Sequence, residues 1–269
     1  LRVERYSMKD ATTELEPETG SPEPEEEGAK MSFLEHLDEL RRRLVRIIVY
    51  IGIGFVACFY FARQIYGFIY APIVRASPGL KLAFLSPTQP FTLYIKVAIL
   101  AGIFLTIPLS LYEVWKFIAP GLYRKEKRYV LPFLFSSVLL FLAGGAFCYY
   151  VVLTPAYAFL LNIGKDFTPM ITVDEYMDLT STMLLGFGLV FEMPVIVAFL
   201  SIFGLVSARF LWSKFGYALI IMVAVAAILS PTGDAFNLLI WTAPMVALYF
   251  VSIGIAALFS WRRKVKGLV

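Results

Sequence analysis

The chain has 269 residues, 59% hydrophobic and 16% charged, with a mean hydropathy of +0.74. A soluble domain averages about 45–50% apolar by a broader count, so the composition describes an integral membrane protein. The net charge of +4 is no nucleic-acid footprint, because acids crowd the first thirty residues while bases flank the apolar runs. The two cysteines, Cys58 and Cys148, lie inside apolar runs, where a thiol serves as a small hydrophobe and implies no disulfide or metal framework.

Residues 1–30 repeat Pro-Glu (Pro17-Glu18, Pro22-Glu23, Pro24-Glu25), end in an acidic run and carry almost no hydrophobic periodicity. They are expected to be a disordered acidic extension, and 31–269 the membrane domain. The chain opens on Leu1, with Met8 and Met31 as alternative starts, and shows no charged segment leading directly into an apolar core, so no cleavable signal peptide is expected. Ser32-Phe33-Leu34-Glu35 has the form of a capping box, which starts a helix. Phe33, Leu37, Leu40 and Leu44 share one face, with Glu35, Asp38, Glu39 and Arg42 on the others. That pattern predicts an amphipathic surface helix running into the bilayer without a breaker.

A spanning helix needs about 20 mostly apolar residues. Six candidates follow in order: Leu44–Ala62, Leu93–Trp115, Tyr129–Leu153, Thr180–Phe203, Phe215–Leu229 and Phe236–Phe259. One set of connections carries Arg41, Arg42 and Arg43, then Lys116, Arg124, Lys125, Lys127 and Arg128, then Arg209 and Lys214, then the basic tail. The other set mixes Arg63, Arg75, Lys81 and Lys165 with Asp166, Asp174, Glu175, Asp178 and Asp234. The positive-inside rule then puts both termini in the cytoplasm. The fifth run has about 15 residues, roughly 22 Å against a hydrocarbon core of about 30 Å, and falls short of a full crossing. The exterior loops Arg63–Pro90 and Leu153–Leu179, the second with a short helix after Thr172, are expected to cap one face.

Between the second and third runs lies Val114–Arg128, VWKFIAPGLYRKEKR, with interface aromatics Trp115 and Phe117, a turn at Pro120-Gly121, and four cations around Glu126. Topology needs only the cations; Glu126 is surplus. With Glu39 it makes two carboxylates expected near the same headgroups. Either they balance nearby arginines in weak exposed pairs, or they grip a visiting guanidinium bidentately, which selects Arg over Lys. Glu192 sits mid-run beside Pro194. It is expected either to face a cavity, partner or proton path, or to be a protonated acid bonded to a carbonyl that Pro194 frees. Pro108, Pro132, Pro194 and Pro244 are each expected to kink or interrupt a helix. Lys96 reads as a snorkelling lysine near the exterior surface, and the lone His36 as a surface residue rather than a ligand. No phosphate loop, H-E-x-x-H or G-x-S-x-G is present, so an ATPase, metalloprotease or serine hydrolase is not expected. Neither catalytic residues, metal nor cofactor are assigned.

His36-Leu37-Asp38-Glu39-Leu40-Arg41-Arg42-Arg43-Leu44, Ser86-Pro87-Thr88, the Val114–Arg128 loop, Phe191-Glu192-Met193-Pro194 and Ser230–Asp234, in that order across six spans, closely resemble the TatC family, the polytopic core of the bacterial twin-arginine protein translocase. The resemblance covers Met31 to about Arg263. It implies an all-α membrane fold of six transmembrane helices with both termini inside, a curved glove-like bundle with shortened helices 5 and 6 and two exterior capping loops. It also implies a non-enzymatic receptor in the bacterial inner membrane. Glu39 and Glu126 match the carboxylates that recognise the paired arginines of a signal peptide, with Arg41, Phe117, Pro120 and Tyr123 shaping that site. Glu192 matches the polar residue contacted by single-span subunits of the TatA and TatB type, and Pro72 and Asp234 match exterior positions. Self-association and proton-motive-force-driven export of folded cargo belong to the same implication. A proton-coupled small-solute transporter using Glu192 stays as the alternative.

Overall fold

The computed structural model describes residues 33–118, 130–230 and 235–265. The chain divides into two compact units, residues 1–38 and Glu39–Val269. The described part of the first is only the opening of a helix, and the disordered reading of residues 1–30 and the Ser32 cap lie outside the described residues. The helices, in chain order, are α1 (Phe33–Tyr60), α2 (Ala62–Ala76), α3 (Gln89–Ile118), α4 (Val130–Phe147), a π-turn (Cys148–Val152), α5 (Leu153–Ile163), α6 (Val173–Val190), α7 (Met193–Ile202), α8 (Ala208–Ser213), α9 (Phe215–Leu229) and α10 (Ala235–Val265).

By length and composition five helical stretches among the described residues can cross a membrane: Leu34–Tyr60, Gln89–Ile118, Val130–Ile163, Val173–Ile202 and Leu238–Phe259. The sixth expected run is α9, 15 residues long, which ends where Ser230 leaves helical geometry ahead of Pro231. The sixth helix, by contrast, is not shortened. Its helix, α10, runs 31 residues, because Pro244 is absorbed within a continuous helix, as Pro108 is within α3. Many large apolar side chains point outward, among them Ile48, Ile53, Leu105, Leu131, Phe135, Ile221 and Ile228. In water such a surface would mark a docking or aggregation face; a hydrocarbon solvent makes it ordinary.

The two segments expected on the exterior are more helical than the loops expected from their prolines and aromatics. Arg63–Pro90 contains α2, with Pro72 inside it. Leu153–Leu179 is mostly extensions of the flanking spans, and the helix after Thr172 is the start of α6 itself. There the capping box is complete: the Thr172 hydroxyl accepts from Glu175 N, and the Glu175 carboxylate accepts from Thr172 N. The two segments meet in a parallel β-bridge, Ala83 N donating to Ile171 O and Val173 N to Ala83 O. Lys96 does not snorkel freely; it donates to Asp174 at 3.1 Å and Asp178 at 2.7 Å, one helical turn apart on α6.

The main core centres on α6 and α10, where Phe187 stacks on Trp241 with ring centroids 4.5 Å apart and Tyr176, Met177, Met183 and Met245 are fully buried. A smaller cluster gathers Trp115, Phe133, Val195 and Ala198 from α3, α4 and α7. Trp115 is thus a core residue rather than an interface anchor: it stacks on Phe133 and its Nε1 donates to Ser137 Oγ at 3.1 Å.

Candidate functional site

The site is set by a backbone crossing. A Cβ on Gly102 would lie 2.7 Å from Phe55 N, and one on Gly54 would lie 2.8 Å from Gly102 O. Only glycine allows α1 and α3 to touch this closely. Arg43 precedes Gly54 by as many residues as Glu113 follows Gly102, and the helices run in opposite directions, so at 1.5 Å per residue the two side chains reach the same level.

There they meet. Arg43 Nη1 donates to Glu113 Oε2 at 2.8 Å, while Arg43 Nε (3.0 Å) and Nη2 both donate to Glu39 Oε1, one turn back on α1. Arg46 Nη1 adds a bond to Glu113 Oε2 at 3.2 Å, and the Tyr50 hydroxyl a long one to Oε1 at 3.4 Å. Two carboxylates and two guanidiniums balance. The side chains of Glu113, Arg43 and Glu39 are 4%, 11% and 12% exposed, whereas Arg46 is about half exposed. In such a setting a charge stripped of its partner costs about 3–5 kcal/mol, so the group behaves as one unit.

Glu39 is the member with unspent capacity. Its Oε1 takes both bonds from Arg43, and its Oε2 is buried without a hydrogen-bond partner among the described residues. An orphaned buried acceptor costs about 1–3 kcal/mol, more when charged, and a donor brought from outside removes that cost.

Of the other residues expected in the site, Arg41 is exposed one helical turn from Leu44, and Phe117 is half-buried in the last turn of α3. Glu126, Pro120 and Tyr123 lie outside the described residues, as does Asp234. Arg43 was expected only as one of three topological cations and is instead the buried centre of the network. Glu113 was missed altogether. The signal was a single acid near the end of a long apolar run, which ought to have a named partner, and three consecutive arginines on the same side supplied one.

Glu192 and Pro72 sit apart from this group. Pro194 opens α7 and has no N–H to give to the carbonyl four residues back; the helix breaks at Phe191-Glu192, leaving Glu192 as the N-cap of α7. The residue is 9% exposed, its Oε1 has no hydrogen-bond partner among the described residues, and Ser137 lies beside the carboxyl. Pro72 likewise leaves the Phe68 carbonyl without its helical donor, and here the Tyr149 hydroxyl fills the place at 2.7 Å while its ring stacks on Phe68. Tyr149 belongs to the π-turn.

Residues 35–244 match the family described as Sec-independent protein translocase protein (TatC). The chain belongs to the TatC family. It is 50% identical over 232 residues to the TatC protein of Koribacter versatilis, covering 85% of this chain and 86% of that one. The TatC protein of Aquifex aeolicus is 35% identical, with 87% and 98% covered. Among solved structures, a crystal structure of the twin-arginine translocase receptor TatC superposes with a TM-score of 0.75 at 36% identity, covering 84% of this chain and 99% of that one. The TatC family is one of translocase receptor subunits rather than enzymes, and its six-span helical fold accommodates α9 as the short fifth member.

Proposed function

We propose that this chain is the signal-peptide receptor of a twin-arginine translocase, and that Glu39, with Glu126, binds the guanidinium pair of a folded cargo's signal at the cytoplasmic face. The observation that carries the reading is Glu39 itself: a shielded carboxylate with one oxygen already bonded to a guanidinium and the other without a donor. Such a group favours the planar, weakly hydrated fork of arginine over the strongly hydrated ammonium of lysine. Arg41, Phe117, Pro120 and Tyr123 shape the approach. Basic connections hold this side, and both termini, in the cytoplasm of the bacterial inner membrane.

Glu192, a buried acid at a helix break, receives the polar face of single-span subunits of the TatA and TatB type. Pro72 and Asp234 serve on the exterior side, receptor copies associate with one another, and the proton-motive force drives passage. The likeness to the solved twin-arginine translocase receptor supports the whole assignment. The test is export of a folded reporter carrying an arginine-pair signal. Glu39→Gln and Glu126→Ala should each lower export at least tenfold, the weight of about one charge-assisted hydrogen bond, at normal receptor levels in the membrane. Export at the unmodified rate from well-expressed variants would count against it.

A further inference from the structure

Glu113 is the most deeply buried charged group of the network, at 3% exposure. We propose that Glu113 determines specificity at one remove: it holds Arg43 as an internal guanidinium that Glu39 gives up when an outside arginine arrives. This rests on the reading that Glu39 binds the visitor.

The geometry is that of an exchange. Arg43 is shared, its Nη1 on Glu113 and its Nε and Nη2 on Glu39. When Glu39 turns to a visitor, Arg43 keeps Glu113, and Glu113 also keeps Arg46. No buried charge is left bare at any stage, the condition under which an ion pair inside a protein can be opened cheaply. Because Arg43 already fills the site with a fork of donors, an outside cation must match that fork to displace it. An arginine does; a lysine, with three donors on a compact ammonium, does not. Glu113 therefore adjusts how tightly Arg43 competes. Without Glu113 the guanidinium has Glu39 alone and holds it shut. Without both Glu113 and Arg43, Glu39 is open to any cation. Glu113 is a positioning residue, acting through Arg43 and never on the peptide.

The experiment is equilibrium binding of two synthetic signal peptides, one with an arginine pair and one with a lysine pair, to the full chain purified with its lipids. Four proteins are compared: unmodified, Glu39→Gln, Glu113→Gln, and the double variant Arg43→Gln with Glu113→Gln. The expected result is that Glu113→Gln weakens the arginine peptide by about tenfold. The double variant, which removes one charge of each sign and leaves Glu39 without Arg43, should recover affinity for that peptide while its preference for arginine over lysine collapses, thermal unfolding in detergent checking that it folds. A merely structural role would lower both peptides alike in the single variant and give no recovery in the double one. If Glu39→Gln abolishes binding but the double variant keeps the full arginine preference, the role given to Glu113 is wrong and the reading of Glu39 stands. If Glu39→Gln binds as the unmodified chain does, the reading of Glu39 fails, and this proposal with it.

Discussion

Single side chains in this molecule repair what neighbouring residues break. Pro72 removes the donor that Phe68 O would have had, and Tyr149 supplies another from a different helix at 2.7 Å. Tyr149→Phe leaves that carbonyl orphaned, so it should destabilise the chain by about 1–3 kcal/mol. In a Pro72→Ala background the helix regains its own N–H, and the same substitution should cost markedly less. Thermal unfolding in detergent of the two single variants and the pair gives the coupling directly; equal losses in both backgrounds would show that the hydroxyl is not serving the proline's carbonyl. Pro72 was visible in the sequence as an exterior position without a job. Its partner was not, since nothing in the order of residues says that Tyr149 lies within reach of Phe68. Glu113 is the opposite case, where an acid inside an apolar run stated its need openly and Arg43, its partner, was read only as topology.

Among the helices, the decisive contact is the crossing of α1 and α3. Both ends of the candidate site depend on it, because the 43–113 contact follows from where Gly54 and Gly102 meet. A side chain at position 102 meets backbone atoms of Phe55 and Gly54 within 3 Å, which cannot rotate away. Gly102→Val should therefore push the helices apart, cost about 1–3 kcal/mol as overpacking does, and weaken the Arg43–Glu113 bond far away along the helix. A double-mutant cycle with Arg43→Gln and Glu113→Gln should give a clear coupling in the Gly102 chain and a smaller one in the Gly102→Val chain. Equal coupling in the two would detach the site from the crossing. The spans themselves were legible from the length and composition of apolar runs, and so was the short α9, bounded by Lys214 and Ser230-Pro231. Helix α2 was not, because Pro72 inside it and the aromatic, proline-rich stretch around it read locally as loop, while tertiary packing against α3 and α5 keeps the segment helical.

For the molecule as a whole, composition alone fixed the membrane setting, and the order of motifs fixed the family. What sequence could not supply was the state of Glu39: whether its carboxylate waits open, is locked in a pair, or is shared. It is shared, with one oxygen engaged by Arg43 and the other without a donor, and the receptor reading depends on that intermediate condition. The most direct measurement is site-specific photocrosslinking from position 40, the exposed neighbour of Glu39, in the full chain in membranes to a signal peptide added on the cytoplasmic side, with arginine-pair and lysine-pair peptides run in parallel. The account predicts a strong cross-link to the arginine pair that an excess of unlabelled arginine-pair peptide removes, and little to the lysine pair. Equal cross-linking of both peptides, or none of either beside full cross-linking from a distant position, would contradict it.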